Sequence, residues 1–423
     1  MRVTLEPQFK KTAEIRVPSS KSLSHRALIA AALAEGTSFL RGIDMSKDIE
    51  ATMNAMKAFG ASFEMNEEGI TVHGGIKKGA GSLRKIDCLE SGSTLRFLIP
   101  IAALDETETL FRGHGRLMER PQSVYKKLFA QQNLLFEHTE EGLRVKGPLK
   151  AGSYTVEGNV SSQFISGLLF ALPLLEGDSE ITVLPPFESA AYVTLTVDAL
   201  KKADIEIEQD GLTFHIKGGQ KYRSVNTRVS GDDSQAAFFA VLALLEGMEI
   251  TVHGMDHDSR QPDHVIVELI RKAGGAVEET EDGYWFSGGE LKPFEADLSG
   301  CPDLGPVLFA LAAAADGTSV FTGTERLKIK ESDRIASMRE ELAKVGTEVK
   351  EEDGKVFVSG PAVFHENVIF EGHNDHRIVM ALSVLCALSA CPVIIEGAQA
   401  VSKSYPGFFE DLEKTGMKVA YDQ

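Results

Sequence analysis

The sequence predicts an α/β protein made of six copies of one repeat, grouped as three and three into two domains. The prediction depends on a phrase that recurs six times: an apolar helical run, then a turn, then a short β-branched strand. The spacing of the phrase is nearly constant, because equivalent turn residues are separated by 71, 70, 70, 70 and 74 residues. These turn residues are Gly36, Thr107, Gly177, Gly247, Gly317 and Cys391.

Each repeat is predicted to contain one buried helix, one amphipathic helix and several strands. The apolar runs are 10 to 14 residues long and apolar on nearly every face, which is typical of a helix buried on all sides. Segments such as 135–147 and 205–219 alternate between apolar and polar residues, as strands do. A second, charged helix recurs, for example over 48–62 and 334–349.

The composition excludes several classes of function. Apolar residues make up 43% of the chain and charged residues 25%, which is typical of a globular protein. The apolar runs are shorter than the roughly 18 residues that a membrane helix needs, and the N-terminus lacks the apolar core of a secretory signal. A net charge of −18 argues against nucleic acid or an anionic membrane as a partner. The four cysteines include no CxxC pair, so we expect a cytoplasmic protein without disulfides or a zinc finger.

The starts of the six buried helices combine capping residues with charged ones. Ser, Asp and Asn there would accept hydrogen bonds from backbone N–H groups, so each could be a simple helix cap. Some residues at these starts differ between copies, such as Lys21, Arg96 and Arg377, and they indicate a role beyond capping. Equivalent helix N-termini would face an anion in equivalent ways, so we predict a positively charged cleft for an anionic ligand. The helix starts lie at 20–22, 91–94, 161–163, 232–234, 302–303 and 374–377.

Two further concentrations of polar residues carry alternatives. One concentration precedes an amphipathic helix and suits either a solvated helix entrance or phosphate contact with proton transfer. Its residues are Lys328, Lys330, Glu331, Asp333 and Arg334. The second concentration has the composition of metal ligands but an irregular spacing, and we interpret it as a surface loop. Its residues are His253, Asp256, His257, Asp258, Asp263 and His264.

The motif series resembles that of the 5-enolpyruvylshikimate-3-phosphate synthase family, in order and spacing, from about Pro18 to about Leu412. Its most specific members are KESDR at 330–334, NDHR at 374–377 and SSQF at 161–164. The resemblance implies two domains of three βαβαββ repeats each, an inverse α/β barrel architecture, with the active site in the interdomain cleft. It also implies a first domain over 20–227 and a second, discontinuous domain over 1–19 and 228–423.

The resemblance implies one reaction and its partners. The enolpyruvyl group of phosphoenolpyruvate passes to the 5-hydroxyl of shikimate 3-phosphate, with release of phosphate, through a tetrahedral intermediate. The reaction belongs to aromatic amino acid biosynthesis and uses neither a metal nor an organic cofactor. We therefore expect small-molecule substrates, no nucleic acid, no membrane and a monomeric enzyme.

The resemblance also assigns site residues. Catalytic roles fall to Asp303, Glu331 and Lys21, with Asp303 accepting the proton of the 5-hydroxyl. The phosphoenolpyruvate-binding residues would be Lys21, Gly92, Arg120, Gln163, Arg334, Arg377 and Lys403. The shikimate 3-phosphate-binding residues would be Lys21, Ser22, Arg26, Ser161, Ser162, Gln163, Ser189, Tyr192, Asp303 and Lys330.

Two other interpretations stay open at this point. A UDP-N-acetylglucosamine enolpyruvyl transferase resembles this family in fold and donor, but it carries a reactive cysteine in a loop whose counterpart here, 113–121, has none. A non-catalytic repeat scaffold would explain the period. It would not explain why Asp303, Glu331 and Arg377 stand at particular helix starts.

Overall fold

The computed structural model describes residues 1–77 and 82–422, which form two compact units. Unit 1 comprises Met1–Pro18 and the chain from Ser230 onwards, and unit 2 comprises Ser19–Val229. Each unit has an apolar core of its own. Across the described residues, none of the helices has the length and apolar character needed to cross a bilayer.

The helices of the described residues alternate along the chain between two kinds. Odd-numbered helices are buried over nearly their whole length, and even-numbered helices bury one face. In chain order they are α1 Lys21–Leu33, α2 Lys47–Ala58, α3 Gly92–Ala102, α4 Ser123–Gln131, α5 Ser162–Ala171, α6 Ala190–Lys202, α7 Asp233–Glu246, α8 Ile266–Lys272, α9 Gly305–Ala314, α10 Arg334–Ala343, α11 His376–Leu385 and α12 Phe408–Lys414.

The strands are short, and most alternate between buried and exposed side chains. In chain order they are β1 Arg2–Glu6, β2 Thr12–Arg16, β3 Gly36–Arg41, β4 Ser62–Asn66, β5 Gly69–Gly74, β6 Arg84–Asp87, β7 Thr109–Arg112, β8 Leu135–Thr139, β9 Gly142–Lys146, β10 Ser153–Glu157, β11 Ser179–Leu184, β12 Ile207–Asp210, β13 Thr213–Ile216, β14 Asn226–Arg228, β15 Glu249–His253, β16 Ala276–Thr280, β17 Gly283–Ser287, β18 Glu295–Asp297, β19 Gly317–Thr322, β20 Glu348–Glu352, β21 Lys355–Gly360, β22 Ile369–Glu371, β23 Val393–Glu396 and β24 Lys418–Asp422.

The predicted repeat is confirmed, and its order is βαβαββ. In the second repeat, β6 pairs in parallel with β7 across the buried helix α3. The hairpin β8–β9 follows the amphipathic helix α4 and pairs antiparallel with β7 through β9. The resulting strand order is β6-β7-β9-β8, and the same order recurs in β10-β11-β13-β12 and β18-β19-β21-β20.

Three of the six sheets among the described residues are completed by a strand from elsewhere in the chain. Strand β14, which ends unit 2, pairs in parallel with β3 of the first repeat. Strand β2 pairs in parallel with β15 of the fourth repeat. Strand β1 lies between β23 and β24 of the sixth repeat and pairs antiparallel with both. Unit 1 is therefore discontinuous, because β1 belongs to the sheet of the sixth repeat of the chain and β2 to that of the fourth.

The odd-numbered helices form the centre of each unit, and the sheets lie outside them. In unit 1, α7, α9 and α11 pack against one another, and in unit 2 α3 packs on α5. The approach of α3 and α5 requires a residue without a side chain. A Cβ at Gly167 would lie 2.4 Å from the backbone oxygen of Arg96 and 2.2 Å from the hydroxyl of Tyr125. The ends of these central helices carry the candidate site residues.

Candidate active site

A cluster of charged side chains in unit 1 is centred on Asp303. Its carboxylate accepts hydrogen bonds from Lys330 Nζ at 3.2 Å and from an Arg334 terminal nitrogen at 2.9 Å, both through Oδ1. Oδ2 lies 3.3 Å from a terminal nitrogen of Arg377. Three cationic side chains therefore converge on one carboxylate, and we call the whole group the Asp303 cluster. Its members are Asp303, Lys330, Glu331, Arg334, Asp375 and Arg377.

Helix starts place the members of this cluster. Arg334 is the first residue of α10, which Asp333 caps by accepting the amide of Ala336 at 3.0 Å. Asp375 caps α11 by accepting the amide of Arg377 at 2.9 Å. Asp303 differs from both, because it lies in a 3₁₀ turn over Pro302–Leu304 that precedes α9 and makes no side-chain cap. The expectation that the residue at this fifth helix start could be a simple cap is wrong, and the carboxylate faces the cations instead.

Arg334 is the central cation of the cluster. It donates to Glu331 Oε2 at 2.8 Å in addition to Asp303, and its Nε donates to Asp375 Oδ2 at 2.9 Å. Burial works against the guanidinium charge, but the carboxylates of Asp375, Glu331 and Asp303 outweigh it and raise the pKa of Arg334. Burial alone would raise the pKa of Asp375, yet the Arg334 charge holds it below its ordinary value. Both groups are therefore charged at neutral pH.

The other cations are buried at the edge of the cluster. Burial lowers the pKa of Lys330 to about 8, against the opposing attraction of Asp303. Arg377 donates to Ser234 Oγ at 2.8 Å, and its Nε is a buried donor with no hydrogen-bond partner within the described residues. Lys403 donates through Nζ to the backbone oxygen of Asn374, the residue that precedes Asp375 in the sequence. The cluster therefore presents cationic donors that suit an anionic ligand.

Two sets of side chains in the described residues have ligand atoms close enough together for a metal. In the first set, formed by Glu331, Asp375 and His376, the atoms lie within 4.8 Å of one another, but Arg334 binds both carboxylates. The second set consists of Glu340, Glu341 and His373, and the ammonium group of Lys344 lies 2.7 Å from Glu341. A cation side chain therefore already neutralises a carboxylate in each set.

In unit 2, Arg26 joins α1 to α6. Its Nε donates to Thr196 Oγ1 at 2.8 Å, and its terminal nitrogens donate to the backbone oxygens of Ser22 and Tyr192 at 2.7 and 2.8 Å. All three acceptors are neutral oxygens. Burial lowers the pKa of Arg26 to about 10, which leaves it protonated at neutral pH. Arg26 therefore adds positive charge and fixes the backbone at Ser22 and Tyr192.

A second arginine in unit 2 fixes the side chain of Gln163. Arg96 donates to Gln163 Oε1 at 2.9 Å and to the backbone oxygen of Pro121 at 3.0 Å. Since arginine only donates hydrogen bonds, the amide oxygen must face Arg96. The amide nitrogen then points the other way and donates to Ser93 Oγ at 3.0 Å. The starts of α3 and α5 are thus joined through one oriented amide.

Gly92 lies against the guanidinium of Arg120. A Cβ built on Gly92 would lie 2.7 Å from one terminal nitrogen of Arg120 and 2.9 Å from its Cζ. The Nε of Arg120 is a buried donor without a hydrogen-bond partner in the described part of the chain. A side chain at Gly92 would therefore displace the guanidinium of Arg120.

A sequence model of the EPSP synthase (3-phosphoshikimate 1-carboxyvinyltransferase) family matches residues 5–412. The chain belongs to the EPSP synthase family. The 3-phosphoshikimate 1-carboxyvinyltransferase of Clostridium kluyveri is 41% identical over 430 aligned positions, which cover 99% of this chain and 98% of that one. The Clostridium novyi protein of the same name is 42% identical and covers 95% of both chains. The solved EPSP synthase of Acinetobacter baumannii is similar with a TM-score of 0.81 and 27% identity, covering 99% of this chain and 100% of that one.

The comparisons confirm the predicted family, the α/β fold class and the identification as a transferase of aromatic amino acid biosynthesis. They do not favour the UDP-N-acetylglucosamine enolpyruvyl transferase, nor a non-catalytic scaffold. Among relatives with the EPSP synthase name, identity extends over almost the whole chain, so both three-repeat units are part of the family resemblance.

The structure places the remaining predicted site residues at helix starts of unit 2. Lys21 begins α1, and its Nζ donates to Asp48 Oδ2 at 3.0 Å. Ser161 caps α5 by accepting the amide of Gln163 at 3.3 Å, and Ser162 is the buried first residue of that helix. Ser189 precedes α6 with φ at 53° and ψ at 35°. A left-handed serine is uncommon and often marks a functional position.

Several residues that complete these clusters were missed from the sequence. Asp375 binds Arg334, and Ser332 donates to the same carboxylate at 3.0 Å. Thr196 and Asp48 accept from Arg26 and Lys21. Asp375 and Ser332 lie inside the NDHR and KESDR motifs, so the motifs themselves were the available signal. No pattern in the sequence singles out Thr196 or Asp48.

The interpretation of the histidine and aspartate group as a surface loop is wrong in part. His253 lies in strand β15, and Asp263 is buried. The ring of His264 lies 3.1 Å from the buried carboxylate of Asp233, which also accepts from Ser259 Oγ at 2.6 Å. These residues therefore attach the segment after β15 to the start of α7.

Proposed function

We propose that this chain transfers the enolpyruvyl group of phosphoenolpyruvate to the 5-hydroxyl of shikimate 3-phosphate, giving 5-enolpyruvylshikimate 3-phosphate and phosphate. The observation that carries the proposed chemistry is the convergence of Lys330, Arg334 and Arg377 on the carboxylate of Asp303. Both substrates carry a phosphate and a carboxylate. Anions of this kind can replace a carboxylate as the partner of the arginine forks.

In this proposal, phosphoenolpyruvate binds to the arginines and to Lys403. The buried Nε donors of Arg120 and Arg377 lack hydrogen-bond partners in the described residues, and a buried donor without a partner is costly. An anionic oxygen would satisfy them. Gly92 supports the same assignment, because the absence of a side chain there leaves Arg120 its position. The proposed phosphoenolpyruvate ligands are Lys21, Gly92, Arg120, Gln163, Arg334, Arg377 and Lys403.

Shikimate 3-phosphate is assigned to the serine-rich helix starts and to Lys330. Helix N-termini and hydroxyl groups bind phosphate well, and α1, α3 and α5 have no acidic residue in their first turns. Arg26 would contribute mainly by positive charge and by holding Ser22 and Tyr192, because its own N–H groups already bond to the protein. The proposed ligands are Lys21, Ser22, Arg26, Ser161, Ser162, Gln163, Ser189, Tyr192, Asp303 and Lys330.

The catalytic steps follow from these positions. When substrate anions take over the donors of Arg334 and Arg377, the carboxylate of Asp303 becomes available to accept the proton of the 5-hydroxyl. The oxygen then bonds to C2 of the enolpyruvyl group, while Glu331, together with Lys21, supplies a proton to the methylene carbon. In the elimination step, Glu331 with Lys21 takes a proton back from the new methyl group and the double bond is restored. The C2–O bond to phosphate breaks at the same time, and the proton held by Asp303 leaves with the phosphate. General acid–base groups of this kind contribute about 10²- to 10⁴-fold each.

We further infer that the enzyme works as a monomer in the cytoplasm. All four cysteines are free thiols, and Cys88, Cys301 and Cys386 are buried, which fits a reducing compartment. Each unit also buries its own core. Light scattering on the purified chain should give a mass near 45.9 kDa, and a stable mass of twice that value would contradict the monomer.

The test of the proposed reaction is phosphate release from phosphoenolpyruvate with two acceptors in parallel. We expect release with shikimate 3-phosphate and none with UDP-N-acetylglucosamine. The matched variants Asp303→Asn and Glu331→Gln should lower turnover steeply while the folded signal in circular dichroism stays unchanged. Release with the nucleotide sugar alone would overturn the acceptor assignment, and wild-type turnover in either variant would overturn that residue's role.

A further inference from the structure

The turn that leads into α11 has a backbone that side-chain-bearing residues rarely adopt. His373 and Asn374 have φ values of 48° and 50°, consecutive left-handed residues that are not glycine. The turn ends at Asp375, which caps α11 and binds Arg334. Lys403 donates to the backbone oxygen of Asn374. A strained turn, which we call the 371–375 turn, thus sets the position of groups assigned above to the donor substrate.

The side chain of Glu341 accepts hydrogen bonds from two residues of this turn. Its carboxylate is fully buried. Oε1 accepts from His373 Nε2 at 3.0 Å, and Oε2 accepts from the amide of Glu371 at 2.8 Å. The ammonium of Lys344 completes the set at 2.7 Å from Oε2. Two of these three hydrogen bonds come from the 371–375 turn.

Side chains of helix α10 therefore form hydrogen bonds with both ends of the turn. Arg334, its first residue, binds Asp375, and Glu341 follows seven residues later, about two helical turns along the same side. The contacts of Arg334 reach the end of the turn, and those of Glu341 reach its beginning and middle. Strained backbone persists only where the surrounding contacts hold it. The side-chain bonds from α10 act together with the hydrogen bonds from Lys403 to the Asn374 oxygen and from the Gly372 amide to the Glu396 oxygen.

We propose that Glu341 is a positioning residue for binding of the anionic donor substrate: by fixing His373 and the Glu371 amide, it holds the strained turn that orients Lys403, Asp375 and Arg377. The proposal rests on the proposed function, in which Lys403 and Arg377 bind phosphoenolpyruvate. Glu341 itself touches none of the groups assigned to substrate. Its effect passes through the backbone of the turn.

The charges around Glu341 and His373 favour an ionic hydrogen bond between the two side chains. Burial would raise the pKa of Glu341, but the bonds from His373 and Lys344 outweigh it and lower the pKa. The bond to Glu341 raises the pKa of His373 against the effect of burial, and the carboxylates of Glu340 and Glu371 add to that rise. As pH rises past the pKa of His373, the bond loses its charge and weakens. The turn should then be held less firmly.

The test compares Glu341→Gln with Glu340→Gln by steady-state kinetics on the full chain. Glu340 is the exposed neighbour on the same helix. Its variant removes the same charge and a lesser electrostatic contribution to His373, but it leaves the hydrogen bonds from Glu341 to the turn in place. We expect Glu341→Gln to raise the KM for phosphoenolpyruvate about tenfold and to leave the KM for shikimate 3-phosphate within twofold. Glu340→Gln should leave both within twofold.

A second variant keeps the proposal falsifiable if Glu341→Gln fails to fold. His373→Asn retains a residue that tolerates the left-handed region but cannot make the same bond. The wild-type KM for phosphoenolpyruvate should rise from pH 6.5 to 8.5, and His373→Asn should show a raised KM with that rise removed. A purely structural role would not produce this change in pH profile.

The outcomes separate the two proposals. Wild-type turnover with an unchanged KM for phosphoenolpyruvate in Glu341→Gln would overturn the role of Glu341 alone. Equal increases in both KM values would also overturn it, because the effect would not be confined to the donor. Absence of phosphate release by the wild type would refute the proposed function. In that case, hydrogen exchange of the 371–377 amides still decides whether Glu341 holds the turn, and unchanged protection in Glu341→Gln would refute it.

Discussion

Arg334 and Asp375 form an ion pair in which both side chains are buried. The Nε of Arg334 lies 2.9 Å from Oδ2 of Asp375, and a terminal nitrogen lies 3.4 Å from Oδ1. The same Oδ1 accepts the backbone amide of Arg377 as the cap of α11. One carboxylate thus joins the start of α10 to the start of α11, and it fixes the distance between two arginines assigned to the donor substrate.

Replacing Asp375 with Asn tests the charge of this carboxylate separately from its capping role. Asn is as good a helix cap as Asp, so the amide of Arg377 keeps its partner, while the buried Arg334 loses a counter-charge. Breaking a buried pair in this way costs about 3–5 kcal/mol. We expect the lower end of that range in urea unfolding, because Glu331 and Asp303 still contact Arg334.

The control is Asp333→Asn at the start of α10. Asp333 is also a helix cap, and it accepts the amide of Ala336 at 3.0 Å. We expect this variant to stay within about 0.5 kcal/mol of wild type, as surface substitutions usually do. An equal loss of stability in both variants would mean that the negative charge at a helix start, and not the pair with Arg334, accounts for the effect at Asp375.

The sequence predicted the positions of the buried helices but not the absence of a side-chain cap at one of their starts. The six capping segments predicted the starts of α1, α3, α5, α7 and α11 to within a residue. At the fifth copy, Pro302 and Asp303 form a 3₁₀ turn, and α9 begins at Gly305. The repeat spacing does not indicate which helix start lacks a cap. The orientation of the Asp303 side chain depends on the cations that α10 and α11 contribute.

The activity should decline in alkaline solution through Lys330. Burial lowers its pKa to about 8, so the ammonium assigned to shikimate 3-phosphate loses its proton above that pH. We expect kcat/KM for shikimate 3-phosphate to fall roughly tenfold per pH unit above the pKa, the slope expected for loss of one proton from the free enzyme. Lys330→Arg should move this decline to higher pH, because a guanidinium stays charged. An unchanged decline in Lys330→Arg would assign it to another group.

The lowered pKa of Lys330 should decrease activity at alkaline pH but increase the free energy of unfolding there. The unfolded chain binds the proton of Lys330 up to about pH 10.5, whereas the folded chain releases it near pH 8. The unfolded state therefore binds more protons between these values, and the free energy of unfolding should rise with pH across this window. Urea unfolding of the wild type and of Lys330→Arg at pH 7.5 and 9.5 measures the difference. A larger pH increment in Lys330→Arg would contradict the assignment.

Gly92→Ala should impair donor binding with little effect on folding. The new Cβ would lie 2.7 Å from a terminal nitrogen of Arg120, which must move. Because Gly92 is the first residue of α3 and alanine suits a helix, we expect the melting temperature to stay within a few degrees. The KM for phosphoenolpyruvate should rise roughly tenfold, equivalent to about 1.4 kcal/mol.

A matched glycine controls for the added methyl group. Gly407 also lies at a helix start, and a Cβ built there would lie 4.0 Å from Glu410 Oε2, an ordinary contact distance. Gly407→Ala should leave both KM values unchanged. If Gly92→Ala behaves the same way, the position of Arg120 does not depend on the missing side chain.

Glu246 should make the protein more stable in weak acid than at neutral pH. Burial raises its pKa from 4.5 to about 7, so the folded chain holds a proton that the unfolded chain has lost between these values. The stability contribution of this group is present below pH 4.5 and disappears as pH rises through 7. Glu246 also ends α7, where a negative charge opposes the helix dipole.

Glu246→Gln removes this dependence. We expect the variant to melt higher than the wild type at pH 8 and at nearly the same temperature at pH 5, with a gain of about 0.3–1 kcal/mol from the dipole alone. Scanning calorimetry at the two pH values measures the difference. A gain that is equal at both would show that titration of Glu246 contributes nothing.

The discontinuous sheets could not be predicted from local patterns. The sequence around β14 and β2 shows only short strands, and nothing in either segment specifies a partner about 185 or 235 residues away. The predicted discontinuity came from the family resemblance. In both sheets, the distant strand pairs in parallel with the strand that follows the buried helix.

Strand β1 gives the last prediction, because it is the middle partner of β23 and β24. Leu5 is fully buried and lies opposite Val393 on one side and Val419 on the other. Leu5→Ala should lower the free energy of unfolding of unit 1 by about 2–5 kcal/mol. Hydrogen exchange should show faster exchange in β23 and β24 and unchanged protection in the sheets of unit 2. Glu6→Ala, at the exposed end of the same strand, should change stability by no more than about 0.5 kcal/mol. If Leu5→Ala loosens the sheets of both units alike, β1 does not act on the sixth repeat alone, because the six repeats would then unfold as one cooperative structure.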